Sequence, residues 1–322
     1  MTTSPLVSIV IPSYNAGRWL EATLETALKQ THAPCEVIVV DDGSTDDSLH
    51  IAQRFRSRGV TVVSQQNGGA SAARNRALSI ARGEYIQFLD ADDLLAPDKI
   101  ERQLALLRAR GDGFVASSEW VRFFGEPPHG PLTPQPTWRD MSAIDFMVMC
   151  AMEELMFPPI AWLIPRALCE RAGSWDEQIS LNDDGEYMSR VLAASDGIVF
   201  AGGARAYYRS GNTASYASQR SSRAAESELR AWDRIVSTMV ALEDSPRVRL
   251  AAATGYQRIE AAWIGRCEGI MERAAHKERE FGGGRYRFDG GPLFRSAVKL
   301  VGWKPAMRLR RWKEAAGERL RG

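Results

Sequence analysis

Four short apolar runs, Val7–Ile11, Glu36–Val40, Val60–Val63 and Glu84–Leu89, alternate with stretches of helical period. Trp19, Leu20, Leu24 and Leu28 recur at helical spacing after the first run. Leu49, Ile51, Ala52 and Phe55 do so after the second, and Ala70–Ala81 reads as a helix before the fourth. A short run with no polar alternation is buried on both faces. Strands buried in this way and separated by helices assemble into a parallel sheet covered on both sides. Sheets of this type bind ligands beyond the carboxyl ends of their strands. Three of the four runs end in distinctive polar loops: Tyr14-Asn15, Asp41-Asp42 and Asp90-Ala91-Asp92-Asp93. The pattern predicts that these loops share one edge of the sheet, which makes that edge the candidate site.

The last loop delivers three carboxylates within four residues. Like charges so close repel, and a divalent cation is the usual way to make such a cluster favourable. Carboxylate oxygens suit Mg²⁺ or Mn²⁺, ions that commonly come with a substrate's phosphates. A second reading also fits: Asp92 or Asp93 caps a helix starting near Pro97.

Composition narrows the alternatives. A formal net charge of +1 over 322 residues gives no global argument for nucleic acid. Cys35, Cys150, Cys169 and Cys267 form no C-x-x-C pair and the four histidines are dispersed, which argues against a zinc centre and for a reducing compartment. No apolar stretch approaches the length of a membrane span and no signal-peptide pattern opens the chain, so the cytoplasm is the default expectation. Pro127, Pro128, Pro131, Pro134 and Pro136 mark a surface loop or hinge. Helices are expected near Ala143–Leu155 and from Ser221 to about Arg279, and a strand at Ala161–Ile164.

The series Val7-Ser8-Ile9-Val10-Ile11-Pro12-Ser13-Tyr14-Asn15, Val39-Val40-Asp41-Asp42-Gly43-Ser44-Thr45-Asp46, Asn67-Gly68-Gly69-Ala70-Ser71-Ala72-Ala73-Arg74-Asn75 and Asp90-Ala91-Asp92-Asp93 closely resembles the family 2 glycosyltransferases. The likeness is dense over residues 6–110 and looser to about 210. It implies the GT-A fold, a Rossmann-like, mostly parallel α/β sheet flanked by helices, followed here by a helical, basic C-terminal extension. The implied division is a catalytic domain over 1–215, with a nucleotide-binding half (1–110) and an acceptor and base half (111–215), then a helical region over 216–322. The implied donor is a nucleoside diphosphate sugar, commonly a UDP-sugar.

By the same resemblance Pro12, Tyr14 and Asn15 form the first nucleotide-contacting loop. Asp41 accepts the ring N–H of the base, and Arg74 lies near the base or the diphosphate. Asp92 is the direct Mn²⁺ or Mg²⁺ ligand, and Asp90 reaches the ribose or the metal. Tyr14 offers a flat face to a base but is also an ordinary loop-packing residue. Asp42 and Ser44 suit turn formation, and Ser44 and Asp46 suit helix capping.

A second acidic cluster, Asn182-Asp183-Asp184-Gly185-Glu186, follows Gly173-Ser174-Trp175-Asp176-Glu177 and stands where the family carries Glu-Asp. Arg190, six residues on, sets the register that makes Asp184 the candidate general base. Asp183 replaces the usual glutamate and shares the assignment. One base without a covalent intermediate implies inversion at the anomeric carbon. Both aspartates are also natural caps for the helix holding Tyr187, Val191 and Leu192. Trp162 and Trp175 suit either an acceptor platform or core packing. The implied acceptor is a hydroxyl of a glycan or a lipid-linked glycan.

The tail, residues 285–322, carries eleven basic residues against three acidic ones, interleaved with Leu, Phe, Val and Trp. That pattern fits an anionic membrane surface, which would make the protein peripheral on the cytoplasmic face, and fits equally a helix packed on its own domain or an oligomer contact. Two further readings of the whole chain stand beside the transferase. One is a sugar-nucleotide nucleotidyltransferase, against which Pro12-Ser13-Tyr14-Asn15 stands where that class has a Gly-rich basic loop. The other is an inactive nucleotide-sugar binder.

Overall fold

The computed structural model describes residues 4–211, 221–288 and 290–319, with side chains to Trp312. β1 (Val7–Ser13), β2 (Cys35–Asp41), β3 (Thr61–Ser64) and β4 (Tyr85–Phe88) occupy the four apolar runs. The helices α1 (Leu20–Leu28), α2 (Ser48–Arg54) and α3 (Ala70–Ile80) fill the intervals. The four strands pair in parallel in the order β3-β2-β1-β4. Val7, Ile9, Val10, Ile11, Val39 and Val40 are wholly inaccessible, as strands covered on both faces require. β1 and β2 run in register to Ser13 opposite Asp41, and β4 lies on the other side of β1. The loops after β1, β2 and β4 therefore emerge side by side from one edge.

The chain continues through β5 (Leu94–Leu95), α4 (Lys99–Arg110), β6 (Phe114–Phe123), α5 (Ala143–Glu153), β7 (Ile164–Pro165), α6 (Arg166–Ala172), α7 (Asp183–Ala193) and β8 (Gly197–Arg209). β7 adds to β4 antiparallel. The strand expected at Ala161–Ile164 is only the two-residue β7, preceded by a 3-10 turn over Pro159–Ala161. Prolines at 158, 159 and 165 leave too few backbone donors for a longer ladder. A second sheet, ordered β5-β8-β6, has no counterpart in the sequence reading. β6 and β8 run parallel from Phe114 to Phe123, but the register shifts where Ser118 pairs with Ala201 and Glu119 with Arg205, so β8 bulges at Gly202-Gly203-Ala204. Gly203 has φ 82°, and its N–H donates to Glu119 Oε1 at 3.0 Å.

Contacts divide the chain into two units, residues 1–146 with 156–218, and residues 147–155 with 219–322. The segment 147–155, expected in the catalytic half, groups with the C-terminal unit, and the expected boundary at 215/216 lies outside the described residues. The first unit's core joins β1, β2, α1 and α4 to Trp120 of β6 and Ala206 of β8. The second unit is helical: α8 (Ser222–Leu242), α9 (Pro246–Trp263), α10 (Glu268–Glu280), α11 (Pro292–Val301) and α12 (Trp303–Arg319). The Ser221 hydroxyl caps α8 by accepting from Ala224 N at 3.2 Å. Gly255 lets α9 approach α8, since a Cβ there would sit 2.0 Å from the Trp232 ring. Ala261, Ile264, Met271 and Met307 form a small core covered by Tyr286, Phe288, Phe294 and Trp303.

Candidate active site

The loop after β1 is held by its own polar groups. Asn15 takes φ 49°, a left-handed conformation that Asn tolerates. Its Oδ1 accepts from Thr45 N at 2.8 Å, while Asn15 N donates to Ser44 Oγ at 3.0 Å. The Asn15 side chain thus ties the β1 loop to the β2 loop. Asp46, expected to cap α2, accepts from Gly17 N at 3.0 Å and from Ser48 N, the first residue of that helix, at 2.9 Å. Pro12 lies within β1 opposite Val40. Tyr14 presents an exposed ring at the strand end.

Asp41 ends β2 and is 1% exposed. Its Oδ2 accepts from Ser44 N at 3.3 Å and Ser64 Oγ at 3.4 Å, whereas its Oδ1 is buried with no partner among the described residues. An orphaned buried carboxylate oxygen is costly unless a ligand donor meets it. Asp42 does different work. It accepts from Gln65 Nε2 at 2.8 Å, Gly68 N at 2.9 Å and Gly69 N at 2.7 Å, and so shapes the turn that launches α3.

α3 carries Arg74 one turn in, almost wholly buried. Its guanidinium forks, with Nη2 donating to Asp90 Oδ1 at 2.9 Å and Nη1 to Asp183 Oδ2 at 2.8 Å. The planar fork suits two carboxylates at once. Arg74 therefore joins the strand-end cluster to the acidic cluster at the start of α7. Its guanidinium carbon also sits 4.5 Å from the centre of the Trp175 ring, against which Tyr187 stacks at 4.1 Å and Phe88 packs edge-on at 5.2 Å.

The three carboxylates after β4 are unequal. Asp93 is fully buried; its Oδ1 accepts from Arg209 N at 2.7 Å and its Oδ2 has no partner among the described residues. Burial, then the charges of Asp92 and Asp90, push its carboxyl well above the usual range. Asp90 and Asp92 stay half-exposed. Arg209, at the end of β8, donates from Nε to Asp92 O at 2.8 Å and from Nη1 to Gly125 O at 3.1 Å. It anchors the acidic loop, and no sequence signal marks it.

Among the described residues no three His, Cys, Asp or Glu side chains converge as a metal-holding group. Asp90 and Asp92 are half-exposed carboxylates beside the buried Asp93, whose carboxyl is raised first by burial and then by their charges, and a cation would relieve that repulsion. These residues fit Mg²⁺ or Mn²⁺ with the rest of the shell taken from water and a diphosphate.

At the N-terminus of α7, Asp183, Asp184 and Glu186 favour the helix dipole. Asp183 is engaged by Arg74. Asp184 accepts from Gly185 N at 2.8 Å, and burial followed by the charge of Asp183 raises its carboxyl to about 6. The segment before α7 is clamped from two sides. Asn75 Oδ1 accepts from Trp175 N at 2.8 Å, and its Nδ2 donates to Trp175 O at 3.0 Å. Arg190 pairs with both oxygens of the buried Glu186 at 2.8 Å and reaches Ser174 O at 2.9 Å. Asn75 lies inside a matched motif, but nothing in its type announces this bracing role.

The structure corrects the acceptor-platform expectation. Trp162 and Trp175 are each 1% exposed. Trp162 packs against Phe146 and Phe157, and Trp175 lies among Arg74, Tyr187 and Phe88. Neither ring offers a face for a sugar to stack on. Arg74, expected near the base or the diphosphate, has its guanidinium between Asp90 and Asp183 and over the Trp175 indole.

The model of the family described as "Glycosyl transferase family 2" matches residues 8–172, just over half of the chain. Over 113 residues the chain is 43% identical to the putative teichuronic acid biosynthesis glycosyltransferase TuaG of Bacillus subtilis, covering 34% of this chain and 45% of that protein. Over 117 residues it is 40% identical to the UDP-Glc:alpha-D-GlcNAc-diphosphoundecaprenol beta-1,3-glucosyltransferase WfaP of Escherichia coli, covering 36% and 47%. The chain thus spans under half the length of these two relatives. Among solved structures it resembles S. aureus TarS 1-349 in complex with UDP-GlcNAc, with TM-score 0.62, 19% identity, and coverage of 89% of this chain and 94% of that one. It also resembles the mannosyltransferase PcManGT from Pyrobaculum calidifontis in complex with GDP-Man and Mn2+, with TM-score 0.56, 18% identity, and coverage of 97% and 84%. At such identities the structures bear on the fold alone, and they agree with a GT-A sheet. The chain belongs to glycosyl transferase family 2.

Proposed function

We propose that the protein transfers a sugar, with inversion, from a nucleoside diphosphate donor, a UDP-sugar, to a hydroxyl of a glycan or lipid-linked glycan. The observation that carries this reading is the Arg74 fork. It draws the strand-end carboxylates and the α7 carboxylates into one site and occupies Asp183, next to Asp184, whose carboxyl burial raises to about 6. Asp41 Oδ1 is suited to accept an imide N–H of a uracil, and Tyr14 to flank the base. Asp92 and Asp90 would hold Mn²⁺ or Mg²⁺, which when bound offsets charge on the departing diphosphate. Asp184 takes the proton from the acceptor hydroxyl as it attacks the anomeric carbon; its raised pKa is near the operating range of a general base. The UDP-Glc donor and the diphosphoundecaprenol acceptor named for WfaP support the same classes here.

Calorimetric titration with UDP, GDP, CDP and dTDP, each with Mn²⁺, Mg²⁺ or chelator, tests the reading. Metal-dependent preference for UDP, lost in Asp92→Ala, is expected. Binding of none of the four under any condition would overturn it.

A further inference from the structure

α11 buries none of its residues fully. Leu293 is 89% and Leu300 84% exposed, and on α12 Leu309 is 51% and Trp312 67% exposed. Leu293, Ala297 and Leu300 follow at helical spacing and share one face of α11. Leu309 and Trp312 do the same on α12, flanked by the exposed Arg308 and Arg310. Arg295 and Lys299 lie exposed on α11 beside its apolar face. A cavity of about 250 Å³ lies between α9 and α12, lined by Arg258, Arg310 and Arg311 together with Tyr286, Phe288 and Met307; Arg258 also lies over the Trp232 ring, Arg310 over Phe294, and Arg311 Nη2 donates to Ala262 O at 3.4 Å.

We propose that α11 and α12 dock the protein on an anionic lipid bilayer. Leu293, Leu300, Leu309 and Trp312 enter the apolar layer, and the three-arginine cavity takes a lipid headgroup phosphate. Charge identifies the partner. Residues 285–322 carry a formal net of +8 in a chain whose total is +1, so a second copy of this face would meet its own charge. Large exposed aliphatic side chains between cations gain nothing from a polyanion in water, but they match the boundary between headgroups and acyl chains. Three guanidiniums against two aromatic rings suit a phosphate at that boundary. Among the described residues no helix is long and apolar enough to cross a membrane, so contact through α11 and α12 would be in the plane of the surface. The inference is independent of the transfer chemistry.

The test is sedimentation of the full chain with vesicles of phosphatidylcholine alone or mixed with phosphatidylglycerol. Binding only to the anionic vesicles, weakened by salt, is expected. Arg295→Gln with Lys299→Gln should weaken it about thirty-fold, the equivalent of about 1 kcal/mol for each cation. Leu300→Glu with Trp312→Glu should abolish it while leaving the melting midpoint unchanged, since both side chains are exposed. Arg310→Gln tests the cavity, with inorganic phosphate as competitor. The proposal is overturned by equal binding to neutral vesicles or by wild-type binding of the Leu300/Trp312 variant. It is also overturned by tight capture of free phosphate without vesicle binding, or by a dimer in light scattering that the Leu300/Trp312 variant dissociates.

Discussion

Replacing Arg74 with methionine keeps the side-chain bulk and deletes the cation that joins Asp90 to Asp183. Removing one partner of a buried ion pair costs about 3–5 kcal/mol, because the remaining charge is left uncompensated. Here the carboxylates keep 28% and 20% of their side-chain surface in water, which favours the lower end, about 3 kcal/mol. The contact with the Trp175 ring is lost as well. In a unit of this size that corresponds to a fall of roughly 6–12 °C in the melting midpoint. Urea unfolding followed by tryptophan fluorescence reads the same loss. Removing a carboxylate too, in Arg74→Met with Asp183→Asn, should recover about 1–2 kcal/mol of it as a coupling energy. A loss under about 1 kcal/mol for Arg74→Met, or strict additivity of the two substitutions, would refute the view that Arg74 holds the site together by charge.

Three other outcomes follow from named contacts. Asp184 must be ionised to accept a proton, so kcat/KM should fall as pH drops through about 6, with a bound cation drawing that limb lower; a profile without an acid limb would contradict the assignment. Asn75→Ala strips the partners from Trp175 N and O and should cost about 1–3 kcal/mol in urea unfolding while lowering kcat through a loosened base segment; an unchanged kcat would limit Asn75 to a folding role. Lys99 is buried between Gln87 Oε1 and Gln103 Oε1, and burial holds its ammonium well below the usual range. The unfolded chain then binds the extra proton, so this group makes stability rise with pH by up to about 1.4 kcal/mol per unit until the unfolded lysine deprotonates. Lys99→Met should flatten that slope relative to wild type on the alkaline side, up to the titration of an unfolded lysine, and parallel slopes would count against it.

The parallel sheet and the shared edge were readable because β1, β2 and β4 consist of residues buried on both faces, and such runs admit few arrangements. Asp90 and Asp92 stood out because three carboxylates gather within four residues at one strand end, whereas Asp41 and Asp184 were singled out by the family resemblance and read equally well as local turn or capping residues. The second sheet escaped because Gly202-Gly203 in β8 reads as a break, whereas in three dimensions the pair forms a bulge whose amide is satisfied by Glu119. Arg209 and Asn75 escaped for another reason. Each acts through backbone groups distant in sequence, and an arginine on a strand or an asparagine on a helix carries no local mark of that. Trp162 and Trp175 show the converse limit: an indole near a predicted site is chemically fit for sugar stacking, and only packing reveals that both its faces are taken.

The central claim is that Asp184 is the base of a nucleotide-sugar site, and it is tested most directly by Asp184→Asn beside Asp183→Asn, each measured for UDP binding with Mn²⁺ and for sugar transfer. Asp184→Asn should keep UDP affinity and lose transfer by about 10²-fold or more, the contribution of a positioned general base. Asp183→Asn should chiefly lower stability, because its carboxylate answers Arg74. Near-normal transfer by Asp184→Asn, or loss of transfer in Asp183→Asn alone with stability intact, would contradict the account.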